Sequence, residues 1–286
     1  MGLSEWSLVF FTLLAQISAG IMAVLLFISR GLYLEAPSEA VYKKAGTIAA
    51  GLMTLALIFS FLHLGSPLQA VFALSNVATS WLSREIFMVS FFLGLLLAWR
   101  LALQWHWLRP GALGLIHVVA ALSGLLLIYT MARVYIIPTV PLWNTSATVL
   151  RFFATAFLLG PLVVHALLVQ KDEPLLLFKG KVSAHTLLLT ITALVGVLRI
   201  FTSWYVVSPR QAGPSGFEVP QMAMIFTWLQ PGLLLAALVL IGWWARLWQR
   251  LKRKNFRILT WAFILLLAAE IIGRYFFYAL YYRIGL

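Results

Sequence analysis

The chain is 286 residues long, 63% hydrophobic and only 10% charged, with a mean hydropathy of +0.97. Soluble domains carry roughly 25% charged residues, so this composition excludes one and points to a polytopic membrane protein in a lipid bilayer. A net charge of +13 would suit a nucleic-acid binder, but the Lys and Arg residues sit between apolar runs, where they set membrane topology, and no nucleic-acid partner is expected. With no cysteine, the chain offers no disulfide, no thiolate-bound zinc and no iron–sulfur ligand set.

Runs of about 20 apolar residues suffice to cross a hydrocarbon core of about 30 Å. The first covers residues 7–29 and lacks the basic segment and small-residue cleavage site of a signal peptide, so it reads as a retained span. Seven more follow at 46–64, 86–104, 113–135, 149–169, 182–204, 226–248 and 257–280. The expected fold is all-α, with eight transmembrane helices arranged as two four-helix bundles in a single integral membrane domain covering residues 1–286. Neither an internal repeat nor a low-complexity tract interrupts it.

The first, third, fifth and seventh connections hold 14 of the 21 Lys and Arg residues and every Lys. Positive charge marks the cytoplasmic side, so both termini are expected outward, in the periplasm of a bacterial inner membrane. The outward connections are of a different kind. Gly65-Ser66-Pro67, the stretch from Ile137 to Trp143, and the proline- and glycine-rich segment 208–220 read as shaped, non-helical loops suited either to a docked partner or to an ordinary interface.

The second span runs outward and ends near His63, where Gly65 and Pro67 stop a helix. The third starts at about Ser83, read as its N-cap, with Arg84 and Glu85 in the first turn. His63 and Glu85 therefore meet the same membrane face. Helix-end dipoles alone would explain each, at roughly 0.3–1 kcal/mol; their joint location argues for more. Arg133 ends the fourth span, and Arg199 is embedded before Trp204 and Tyr205. In the last span Glu270 and Arg274 are spaced i and i+4, able to pair on one face. At about 1.5 Å per residue, Glu270 lies about 20 Å along from residue 257, in the outer half. Ionisable groups in a membrane face the bundle interior or a wet cavity, so several of these residues are expected to face one another.

His106, His117, His165 and His185 fall at or near the cytoplasmic ends, where two facing histidines could ligate a haem; His63 is alone outside and cannot form a bis-histidine site there, and no haem is expected in this chain. A base and a carboxylate at one face, backed by apolar helices, suit the head group of a lipid-soluble quinol, whose oxidation releases two protons and two electrons. A proton-coupled carrier or ion pump would use the same residue types. It would call for a polar path to the other side, and the inner halves offer Thr47, His117, His165, His185 and Thr186 but no embedded carboxylate.

A set of motifs then falls in one order along the chain. It comprises Phe10-Phe11-Thr12-Leu13-Leu14-Ala15-Gln16, His63-Leu64-Gly65-Ser66-Pro67-Leu68 with Ala73-Leu74-Ser75-Asn76, and Leu82-Ser83-Arg84-Glu85-Ile86. It continues with Met131-Ala132-Arg133-Val134-Tyr135, Thr139-Val140-Pro141-Leu142-Trp143, Gly160-Pro161-Leu162, and Glu270-Ile271-Ile272-Gly273-Arg274 followed by Phe277-Tyr278. With these the chain resembles the membrane-anchor subunit of dimethyl sulfoxide reductase, a relative of the polysulfide-reductase type of quinone-reactive anchors. The resemblance implies a haem-free, eight-helix anchor that oxidises menaquinol to menaquinone near the periplasmic face. Electrons would pass to a ferredoxin-like subunit with four iron–sulfur clusters and on to a molybdopterin catalytic subunit, in anaerobic respiration. It assigns His63 and Glu85 to quinol binding or oxidation. Asn76 and Arg133, which could donate to the head-group oxygens, and Gln16 and Arg274 are further candidates read from the residues themselves. The chain departs where relatives resemble Phe-Tyr-Gly-Leu-His and it reads Phe277-Tyr278-Ala279-Leu280-Tyr281, so a histidine role there does not carry over.

Overall fold

The computed structural model describes residues 3–30, 37–63, 70–171, 176–177, 182–207, 221–251 and 256–279. Within them the chain is helical: α1 (Leu3–Arg30), α2 (Glu39–His63), the single turn α3 (Ala70–Ala73), α4 (Trp81–Trp105), α5 (Pro110–Val134), α6 (Ser146–Lys171), α7 (Ala184–Val207), α8 (Gln221–Leu251) and α9 (Phe256–Ala279). A 3-10 turn, Leu74–Asn76, follows α3, and two residues each of β1 (Leu176–Leu177) and β2 (Val182–Ser183) pair antiparallel before α7. Eight of these helices, all but α3, are long and apolar enough to cross a membrane, and the chain is a multi-pass membrane protein.

The helix ends differ from the hydropathy reading by one to seven residues, and two of the starts have a visible cause. Helix α2 begins at Glu39, not at residue 46, because Glu39 and Lys43 form an i,i+4 ion pair at 2.6 Å that carries the helix past its apolar run. Helix α4 begins at Trp81 with Ser80 as its N-cap, the Ser80 hydroxyl accepting from the Ser83 amide at 3.3 Å. Ser83 is thus buried inside the helix instead of capping it, and Glu85 lies beyond the first turn, where the dipole at the helix start no longer explains a carboxylate.

Helices α1 and α6 form the centre. In each, 78% of the apolar window is buried, against 33–39% in the other six spans. Where they cross, a Cβ added at Gly160 would fall 2.6 Å from the Gly20 carbonyl carbon, and one at Gly20 would meet the Ala156 backbone at 2.9 Å. Hydrocarbon gives helices no hydrophobic reason to associate, so close backbone approach at small residues supplies the attraction. Pro161, next to Gly160, leaves one α6 carbonyl without its amide partner, an arrangement membrane helices tolerate where neighbours pack closely. Around this pair, α2, α5 and α9 pack on α1, while α7 and α9 pack on α6.

The two ends of the bundle differ in chemistry. At one end Glu39 pairs with Lys43 and, at 3.5 Å, with His106; Lys44 bonds Gln170, and Arg100 Nε donates to Thr47 Oγ1 at 2.8 Å. At the other, α1 begins and α2, α5 and α9 end. The candidate residues gather there.

Candidate functional site

Glu85 is the residue of greatest chemical interest. It is 5% exposed, among the inward-facing Ser83, Met88, Val89 and Phe92 of α4, and its Oε1 has no hydrogen-bond partner among the described residues. A buried carboxyl oxygen without a partner costs several kcal/mol, so it persists only where something else selects for it. At the same end of the bundle stand two phenols, Tyr135 just past α5 and Tyr278 in α9. Their rings lie 5.3 Å apart, and Tyr278 Oη donates to Thr12 Oγ1 of α1 at 3.3 Å. Phe152, Phe277 and Trp143 pack around them, and Trp143 Nε1 donates to the Phe277 carbonyl at 2.7 Å.

Beside this cluster a second polar group is buried. Arg274 Nη2 donates to Gln16 Oε1 at 2.8 Å and to Thr155 Oγ1 at 3.3 Å, with its guanidinium carbon 3.8 Å above the Phe152 ring. Thr155 Oγ1 in turn donates to Glu270 Oε2 at 2.6 Å, and Arg199 Nε donates to Glu270 Oε1 at 2.9 Å. Arg199 Nη1 continues to Ser203, which bonds Gln230 Oε1 at 3.1 Å. Arg151, also buried, donates from Nη2 to the Thr202 carbonyl at 2.6 Å. Five helices are tied together, with three guanidiniums around one carboxylate. Glu270 and Arg274 do not bond each other directly: Thr155 stands between them, and the partner of Glu270 is Arg199, which is buried in the bundle and does not snorkel to headgroups. Gly273 is what allows this, since a Cβ there would fall 2.6 Å from Gln230 Cδ and 2.7 Å from Arg199 Nη2.

The remaining candidates divide. Gln16 joins this network, its carbonyl held by Arg274, which can only donate; its own Nε2 has no partner among the described residues. Arg133 does not. It lies over the Trp81 ring at 4.7 Å, as does Arg84 at 4.2 Å, and Arg84 also bonds the Val77 carbonyl at 2.9 Å. These cations brace the entry to α4. Asn76 is exposed, and its carbonyl accepts from the Thr79 and Ser80 amides at 3.1 and 2.9 Å, which forms the turn leading into α4. The backbone of His63 closes α2, but its side chain, the Gly65-Ser66-Pro67 stop and the 208–220 connection lie outside the described residues. Sequence reasoning missed Thr155, Ser203, Gln230, Arg151 and the Tyr135–Tyr278–Thr12 set. Hydroxyl and amide side chains are common in membrane helices, and only their positions across helices give them meaning.

At the opposite end His165 and His185 bond each other, Nδ1 to Nδ1 at 3.3 Å, with Trp244 packed edge-on to His165 at 4.8 Å. An apolar groove of about 500 Å3 lies along Phe87, Ser90, Phe91, Gly94 and Leu95 of α4, under Leu74. At about 100° per residue, Gly94 faces opposite Glu85, so this groove opens to lipid on the far side of the helix.

A profile of the family described as DMSO reductase anchor subunit (DmsC) matches residues 1–280. The C subunit of anaerobic dimethyl sulfoxide reductase from Escherichia coli is 31% identical over 293 residues, covering 100% of this sequence and 98% of the relative. The corresponding C subunit of Haemophilus influenzae is 30% identical with the same coverage, and the anaerobic dimethyl sulfoxide reductase subunit YnfH of Escherichia coli is 31% identical. A whole-length match of this kind, on a protein whose eight apolar helices span a membrane, settles its kinship: it belongs to the DmsC family of DMSO reductase anchor subunits.

Proposed function

We propose that this chain anchors a dimethyl sulfoxide reductase-type complex in the bacterial inner membrane and oxidises menaquinol at a site built on Glu85 and His63. The observation that carries the reading is Glu85: a carboxyl 5% exposed, with an oxygen that no described residue satisfies, at the end of the bundle away from the Lys-bearing connections. Such an oxygen can accept a hydrogen bond from a head-group hydroxyl and then its proton. The quinol, when bound, supplies two electrons and two protons. Glu85 takes one proton and His63, at the end of α2 on the same face, takes the other. Buried surroundings exclude bulk water, and Arg274, Arg133 and Gln16 hold positive charge and donors near the site.

The protein has no cysteine, so it cannot ligate iron–sulfur clusters through thiolates. The electrons therefore leave to an iron–sulfur partner with four clusters docked on the periplasmic face, which passes them to a molybdopterin subunit. Both termini face the periplasm in this reading, because the Lys-bearing connections fall at the other end. The test is Glu85→Gln in the assembled complex, which keeps the side-chain shape and removes the base. Menaquinol-analogue oxidation, normalised to complex content, drops by about 10²–10⁴-fold. An undiminished rate would remove Glu85 from the chemistry.

A further inference from the structure

The side of α4 that faces away from Glu85 holds the apolar groove along Phe87, Phe91, Gly94 and Leu95, and Gly94 is what keeps it open, since a Cβ there would meet nothing within 4 Å. Arg84 belongs to the same stripe. Steps of three, four and four residues lead from Arg84 through Phe87 and Phe91 to Leu95 and stay on one side of an α-helix. Helical side chains lean toward the helix start, so the Arg84 guanidinium stands at the membrane-face end of the groove, where the Val77 and Ala78 carbonyls hold it. Trp81 gathers a second cation to the same place, with Arg84 and Arg133 at 4.2 and 4.7 Å from its ring. Two carbonyls occupy two of the five Arg84 N–H donors and leave three. Among the described residues no carboxylate pairs with either arginine, and Arg133 Nε is buried without a partner.

We propose that this face of α4 binds one anionic phospholipid, with its phosphate on Arg84 and Arg133 and one acyl chain in the groove. The dimensions match a single leaflet: from Arg84 to Leu95 the helix rises about 16 Å at 1.5 Å per residue, about half of a hydrocarbon core of roughly 30 Å. Charge decides the occupant. A neutral quinol head would leave two guanidiniums unanswered, and a zwitterionic lipid would bring an ammonium to a place that already holds two cations, whereas a phosphate with no cation of its own accepts their free N–H groups. A water-soluble partner cannot follow the groove into hydrocarbon. The site is separate from that of Glu85, which lies on the opposite side of the same helix, and it does not depend on the quinol reading.

The experiment uses the assembled complex, purified, stripped of lipid in detergent and titrated with phosphatidylglycerol or with phosphatidylcholine of the same acyl chains, with bound lipid counted by native mass spectrometry. The tightest site is expected to prefer phosphatidylglycerol. Arg84→Gln removes one of the two charges and should weaken phosphatidylglycerol about fivefold while leaving phosphatidylcholine unchanged. Gly94→Leu fills the groove with several carbons and should weaken both lipids by at least about tenfold, because each methylene of a buried chain counts separately. Gly94 faces lipid with open space around it, so this variant assembles and decides the question even where Arg84→Gln lowers complex content. Equal binding of the two lipids by the parent complex, or unchanged phosphatidylglycerol binding in Gly94→Leu, would overturn the proposal. A Gly94→Leu complex that keeps its lipid but shows a raised KM for a menaquinol analogue would assign the groove to the quinol tail instead.

Discussion

Arg199 Nε sits 2.9 Å from Glu270 Oε1, while Arg274, one turn further along the helix of Glu270, reaches away from it to Gln16 Oε1 at 2.8 Å. The carboxylate therefore links α9 to α7, and its neighbouring arginine links α9 to α1. Both are buried, and a lone charge in that position would be costly; each is held by a partner on a different helix.

Glu270→Gln leaves three buried guanidiniums without a counter-charge. Breaking a buried pair in this way costs about 3–5 kcal/mol. Thermal unfolding of the detergent-solubilised protein should shift strongly downward, and a variant with unchanged stability would show that the pair does not hold α7 to α9.

Glu85→Gln should behave in the opposite manner. Its Oε1 satisfies nothing in the fold, so replacing the carboxyl leaves stability unchanged or slightly raised while turnover falls, the usual sign of a group kept for function. Side-by-side melting of the two variants checks the contrast.

Gly160→Ala drives a methyl group to 2.6 Å from the Gly20 carbonyl carbon, whereas Gly51→Ala and Gly94→Ala meet nothing within 4 Å. The first should part α1 from α6 and cost more than the 1–3 kcal/mol typical of overpacking, because backbone cannot move aside as a side chain can. The other two serve as controls and should be neutral.

His165→Leu and His185→Leu remove the paired imidazoles at the end of the bundle away from Glu85. Quinol oxidation in the assembled complex should stay within about twofold of the parent, with stability lowered by roughly 1 kcal/mol for the lost hydrogen bond. A collapse of turnover would instead favour a proton path through the whole bundle, as a carrier would need.

Because the protein has no cysteine, single introduced cysteines report sidedness cleanly. A membrane-impermeant thiol reagent should label Ala78→Cys in intact spheroplasts and Gln104→Cys only after permeabilisation; both positions are exposed. Reversed labelling would turn the proposed orientation over.

Much of the candidate site was legible one residue at a time. Glu85, Glu270, Arg199 and Arg274 stand out because charge inside apolar runs is rare and expensive. Their partners did not stand out. The i,i+4 spacing of Glu270 and Arg274 suggests a pair on one helix, yet Thr155 of α6 stands between them and Arg199 of α7 takes the carboxylate. Ser83 reads as a helix cap by residue type, but Ser80 has the extended backbone that a cap needs.

By itself the sequence determined that eight apolar helices cross a membrane, because the hydrocarbon thickness and the cost of charge act on residue runs that are read locally. Only the tertiary structure decided that α1 and α6 meet at Gly20 and Gly160, that Arg199 pairs with Glu270, and that Tyr278 reaches Thr12. Those are contacts between distant segments, set by which faces of the helices turn toward one another, and in a membrane that choice depends on close packing and hydrogen bonds that local hydropathy does not record.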